Sequence, residues 1–393
     1  MSKAASSSAA ARPGRSRSGR LLGRAVVWEI VLAVVVLLAL YRQIWSLVAA
    51  VLVVIAAVLI LVPFRGLNLV DRLLRRARFR QRVRRKDANS TLPTDLVPLG
   101  EWVTGLAVKQ TRSARGDDVG VITDGSSWTA LLGISSDDNL FADRDDSIDL
   151  DALRGLTVQD DIVFAALQVI TFTVPAPASV MLTPDSQAPA SYGQILAAGQ
   201  LPPAVRRTWI GVRLDPRLCL EAIASRGASD EGIYATLRFG LHRVQSALKR
   251  QGIVTHELTA LEINDVLATT SGSTPDFGAQ RSSEGWDHWW CDGFVHSGRQ
   301  ITSWGAEPSV GYQQLLDALA GASAIFGVTA YTLDRWDHTA GAVRVVGPNQ
   351  QAAQAAMAEL VNRLGNTVSF APSGGDQVPA LLGTVPLGRE VVA

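Results

Sequence analysis

Two apolar runs, Ala25–Tyr41 and Ile44–Phe64, stand back to back with only Arg42 and Gln43 between them. Between the charges Arg24, Arg42 and Arg65 they measure 17 and 22 residues. A helix needs roughly 17–25 apolar residues to cross a ~30 Å hydrocarbon core. The pattern predicts two transmembrane helices, 25–41 and 44–64, in a tight hairpin, because backbone polar groups in lipid must be satisfied within each helix. The periodicity then changes. Leu69, Val70, Leu73, Leu74 and Ala77 recur at helical spacing among arginines, which predicts a basic amphipathic helix and linker over 65–98.

Residues 99–393 alternate between the two periods. Trp102–Val108 reads as a strand. Val119–Thr123 and Trp128–Ile134 read as a hairpin, since Asp124-Gly125 supplies the positive φ angles of a tight turn. Ile162–Val174 is a continuous apolar strand, and Trp209–Leu214 another. Helices are predicted over Arg217–Ser225, Asp230–Gln251 and Thr259–Leu267. The long one carries Ile233, Leu237, Leu241, Val244 and Leu248 on one face, with Gly252 as its stop. Arg299–Trp304, Ala324–Leu333, Ala342–Val346 and Thr367–Phe370 read as strands, with helices over Val310–Gly321 and Gln350–Leu364. Pro175–Pro189 and the Gly/Ser-rich Thr269–Arg281 read as loops. No fixed-period repeat is visible. The expected fold is an N-terminal two-helix transmembrane hairpin plus a mixed α/β cytosolic domain over 99–393, a mixed sheet with helices packed on it. The pattern is compatible with one sheet or with two lobes, the split then falling near 269–281.

Charge orients the chain. Residues 1–86 carry 17 bases and 2 acids, net +15, and the remainder carries 20 and 34, net −14. The tail 1–24, Ser/Ala/Arg-rich and almost free of large apolar residues, reads as disordered. Basic flanks stay on the cytoplasmic side, so both termini face inward and the hairpin loop faces out. No small-residue cleavage site follows the first run and a second apolar run follows at once, which argues against a signal peptide. The 65–86 collar is expected to hold anionic phospholipid headgroups. Its place directly after a span argues against nucleic acid. Cys219 and Cys291, the only cysteines, fall in the cytosolic part, where no disulfide is expected.

Candidate chemistry is thin. The chain has no Walker A run, His-Glu-x-x-His, Gly-x-Ser-x-Gly or Gly-x-Gly-x-x-Gly. No catalytic, cofactor-binding or metal-ligating residue is assigned. Three constellations hold candidate donors or contact residues. The acidic run Asp137, Asp138, Asp143, Asp145, Asp146, Asp149 and Asp151 contains Asp143/Asp145, which suits a divalent ion and a nucleotide-sugar diphosphate. Seven acids crowded with the single Arg144, without the glycine placement of an EF-hand loop, read rather as a solvated loop or partner contact. His288, Cys291 and His296 offer three zinc donors where a structural site needs four. Trp286, Trp289, Trp290 and Trp304 suit a core or a partner surface. Glu29 is placed near the headgroups and Trp45 in an aromatic belt.

Several stretches together resemble the EccE family, membrane components of the type VII (ESX) secretion systems of actinobacteria. They are the Arg65–Arg85 collar, Val119–Gly125 running into Trp128, Trp209–Pro216 leading to Arg226-Gly227 and the helix to Gln251, and Trp286–Trp290 before the strand ending at Trp304. The resemblance implies a non-catalytic subunit of the inner-membrane complex, beside ATPase, multispanning and periplasmic-facing components, that supports assembly of the translocation machinery. The rival reading is a membrane-anchored glycosyltransferase-like enzyme using the Asp143/Asp145 loop with a metal.

Overall fold

The computed structural model describes residues 17–40, 43–61, 69–86, 92–112, 116–134, 148–175, 204–227, 229–273 and 281–389. It divides into two compact units, Met1–Ala77 and Arg78–Ala393. In the first, α1 (Arg17–Leu40) and α2 (Ile44–Leu61) pack against one another. α3 (Leu69–Arg85) begins in this unit and ends in the second.

The expected two-helix transmembrane hairpin is corrected here. Among the described residues no helix is long and apolar enough to cross a membrane. α2 is described over 18 residues, Ile44–Leu61, at the low end of the roughly 17–25 that a span takes. α1 has 24 residues but takes in Arg17, Arg20, Arg24 and Glu29. The two helices nevertheless leave large apolar side chains bare, Leu40 and Trp45 among them.

The second unit opens with a 3-10 turn at Thr94–Leu96 and α4 (Val97–Gly100). β1 (Ala107–Arg112), β2 (Asp118–Thr123) and β3 (Trp128–Ile134) follow, then the small hairpin β4 (Val158–Gln159) and β5 (Ile162–Val163). Next come β6 (Ala166–Val174), β7 (Val205–Leu214), α5 (Leu220–Arg226), α6 (Asp230–Arg250), β8 (Thr255–Glu257) and α7 (Ala260–Ser271). β9 (Ser282–Glu284), β10 (Trp289–Cys291), β11 (Phe294–Ser303), α8 (Pro308–Ala320), β12 (Phe326–Asp334) and β13 (Thr339–Gly347) succeed them. α9 (Gln350–Leu364), β14 (Ser369–Phe370) and α10 (Gln377–Thr384) complete the described elements.

Twelve strands form one sheet in the order β1-β2-β3-β7-β6-β12-β13-β11-β10-β9, with β8 beside β3 and β14 beside β11. Every pairing in it is antiparallel. The expected mixed sheet is therefore also corrected. The reason is topological. Each crossover skips one place, and the gap is filled by a strand running the other way, a split βαβ arrangement.

That arrangement occurs twice. β3, β6, β7, α6 and β8 give the spatial order β8-β3-β7-β6, and β11, α8, β12, β13, α9 and β14 give β14-β11-β13-β12. In each half a strand pair precedes the first strand and a helix follows the last: β1-β2 and α7, then β9-β10 and α10. The halves meet at β6 and β12, both nine residues long, with Ile170 opposite Ala330 at the centre. The two halves thus share one connectivity on either side of that antiparallel pair.

Local sequence explains the elements. Asp124 Oδ1 accepts from Ser126 N and Ser127 N at 3.2 and 3.1 Å, fixing the predicted turn between β2 and β3. α6 has Asp230 and Glu231 in its first turn and Lys249 and Arg250 in its last, which complements the helix dipole. Thr259 and Glu262 form a capping box on α7. One sheet face packs α5, α6, α8 and α9 around Leu132, Val169, Tyr331 and Val343. The opposite face packs α4, α7 and α10 around Leu131, Trp289 and Leu381, with Ile170, Val328 and Ala330 between. The result is a three-layer core.

Candidate functional site

The last turns of α3 are bound to the β9 edge of the sheet. Helical spacing puts Phe79, Arg82 and Lys86 on one face. Arg82 makes a fork on Glu284, Nη2 to Oε1 at 3.0 Å and Nε to Oε2 at 3.3 Å, and also donates to Gly375 O. Glu284 has a fully buried side chain. Its Oε1 accepts a second bond from Val378 N at 3.0 Å, in the first turn of α10. Burial pushes the Glu284 carboxyl above its ordinary range, and Arg82 draws it back. One turn on, Lys86 Nζ lies 3.1 Å from Glu101 Oε2, donates to Ser282 O, and sits over the Trp102 ring. Trp102 Nε1 donates to Ser282 Oγ at 2.8 Å. Phe79 meets Trp286 edge to face with centroids 5.5 Å apart. Gly374 and Gly375 pass against that indole, both at positive φ, where a Cβ would come within 2.4 and 2.8 Å of it. α3 thus covers an exposed sheet edge.

A cleft of about 560 Å³ lies between the β2–β3 turn and the end of β7 on one side and α10 on the other, lined in part by Asp124, Arg213, Asp215, Arg217, Leu382 and Arg389. Arg213 and Arg389 share Asp124 Oδ2 at 2.8 and 3.1 Å. Burial alone would raise the Asp124 carboxyl, but the two guanidinia, led by Arg213, hold it far below the usual carboxylate range. Arg213 also donates to Leu387 O, so the strand end, the hairpin turn and the C-terminal segment are tied together. Asp215 is occupied by Arg217 at 2.6 Å. The cleft's charges are thus spent on one another.

The largest fully buried charged side chain among the described residues is Arg344 on β13. Its guanidinium donates to Thr384 Oγ1 at 3.1 Å, to His296 Nδ1 at 2.6 Å and to Thr270 O. It joins the ends of α7 and α10, the equivalent helices of the two halves. Burial pulls its pKa down to about 9 and holds His296 neutral.

The sequence candidates disperse. Asp137, Asp138, Asp143, Asp145 and Asp146 lie outside the described residues, as do residues 1–16 of the tail, Tyr41 and Arg42, and 274–280 of the loop expected over Thr269–Arg281. Asp149 accepts from Asp151 N and Ala152 N, and Asp151 pairs with Arg154. Cys291 and His296 are buried, His296 held by Arg344, while His288 sits in the turn before β10. Among the described residues no group of three His, Cys, Asp or Glu side chains is arranged to hold a metal. The tryptophans part company too: Trp289 packs under α10 and Trp304 on the opposite face against Tyr312 and Tyr331. Glu29 and Trp45 are exposed. Of the lipid collar, Arg82 and Lys86 turn inward to the domain. Their partners Glu101 and Glu284 were missed, although Glu284 ends an edge strand whose Ser282 and Glu284 share one side.

These observations define an antiparallel α/β domain of two equivalent halves, held at one edge by a basic helix. Residues 202–300 match the EccE family model, described as "Putative type VII ESX secretion system translocon, EccE". The matched segment runs from β7 to the middle of β11 and includes Glu284 and Trp286. Over that segment the chain is similar to EccE. No curated protein matches the chain.

Proposed function

We propose that the chain is a non-catalytic structural subunit of the type VII (ESX) secretion membrane complex, supporting assembly and stability of the translocation machinery. The carrying observation is the EccE match over 202–300. Two features support it. The bare apolar surface of α1 and α2 calls for lipid or the apolar flanks of partner subunits. The docked helix α3 gives the α/β domain a firm handle. The proposed partners are the complex's ATPase, multispanning and periplasmic-facing components, with the domain on the cytoplasmic side. The glycosyltransferase-like alternative gains nothing from the geometry or the comparisons and is not carried forward.

The test is complementation. In cells lacking this chain, the complex should fall apart on native gels and export should drop, and both should return with the full chain. An intact complex and undiminished export in its absence would refute the proposal.

A further inference from the structure

We propose that Arg80 and Arg84, flanked by Arg78 and Arg85, form the contact of this chain with an anionic phospholipid surface. The inference rests on the reading above that the chain works at a membrane. It assigns the two faces of one helix to different partners. At about 100° per residue, Phe79, Arg82 and Lys86 cluster within one stripe, and Arg80 and Arg84 fall on the opposite one. The first stripe is consumed: Arg82 by Glu284, Lys86 by Glu101, Phe79 by Trp286. Arg78, Arg80, Arg84 and Arg85 are all exposed. No acid interrupts 78–86, so the outer stripe presents unbroken positive charge. A guanidinium pairs two oxygens of a phosphodiester, and charges four residues apart lie in a row along one helix face, suited to a flat layer of headgroups. The arginines are also held in place, because the inner stripe fixes the rotation of the helix on the domain.

Each such charge near anionic lipid is worth about 5-fold in affinity, so Arg80→Gln with Arg84→Gln should weaken binding about 30-fold. The full chain in neutral detergent is titrated with fluorescent phosphatidylglycerol, with phosphatidylcholine and a single-stranded RNA as rival ligands, at about 0.15 M salt. The expected result is a preference for phosphatidylglycerol that the double variant loses, with an unchanged melting temperature. Retained preference in the double variant overturns the proposal, as does tighter binding of RNA than of phosphatidylglycerol. Recovery of the secretion complex with the wild-type chain and with the double variant separates the outcomes. A lost complex in wild type would count against the functional reading, whereas a retained complex with no lipid preference would sink only the arginine stripe.

Discussion

Replacing Arg82 with Ala removes the counter-charge of a carboxylate that has nowhere else to go. Breaking a buried pair by deleting one partner costs about 3–5 kcal/mol. Glu284 keeps Val378 N, and the Arg82 side chain is 24% exposed, so the low end applies, about 3 kcal/mol. For a unit of roughly 300 residues that lowers the melting temperature by about 5 °C. The pH dependence is more telling than the size. A carboxyl raised in the folded state favours folding while protonated, and that contribution is lost as pH rises through its folded pKa. Without Arg82 the Glu284 pKa climbs further. The deficit of Arg82→Ala should therefore be largest at neutral pH and shrink towards acid, where Glu284 is uncharged. Thermal melts of the full chain in detergent between acid and neutral pH measure it. Arg82→Ala with Glu284→Gln should recover more than half the loss at neutral pH. A deficit that ignores pH and persists unchanged in the double variant would refute the reasoning.

Further outcomes follow from other contacts. Asp124→Asn should cost about 2–3 kcal/mol by stranding Arg213 and Arg389. Because the Asp124 pKa is depressed, its contribution is present above the unfolded value and fades as pH falls through the folded one. Wild type and variant melts should accordingly converge in acid. Gly240→Ala would drive a Cβ to 1.7 Å from the Phe164 ring and should cost more than about 2 kcal/mol, with partial rescue by Phe164→Leu in denaturant melts. Burial holds the Cys219 thiol up at about 11 and pushes Cys291 higher still. Both should resist a thiol reagent at pH 8 in the native chain and react promptly in denaturant.

Local rules made much of this fold legible. The 3.6-residue stripe from Ile233 to Leu248 gave α6, and α9 was read at its observed limits, Gln350 and Leu364. Asp124-Gly125 marked its hairpin. Long-range pairing was not legible. The two halves share topology without a visible repeat, partly because their matching connections differ so much: 175–204 joins β6 to β7, while 335–338 joins β12 to β13. Trp102–Val108, read as a strand, is mostly turn, since Gly105 at positive φ delays β1 to Ala107. α10 escaped notice because Pro379 and Gly383 lie within it. At the candidate site the basic stripe was visible, but Arg82 and Glu284 are 202 residues apart. Only the fold brings an apparently lipid-bound arginine to a buried acid. The two apolar runs do form helices, and among the described residues none is long and apolar enough to cross a membrane.

In the proposed role this chain works as a docked part of a type VII secretion assembly. Isolation of the full chain by an affinity tag from native membranes, in mild detergent and followed by mass spectrometry, tests it most directly. The account predicts recovery of the ATPase, multispanning and periplasmic-facing subunits in constant proportion, and weaker recovery with Arg82→Ala. A chain isolated alone, from cells in which the rest of the complex is intact, would contradict it.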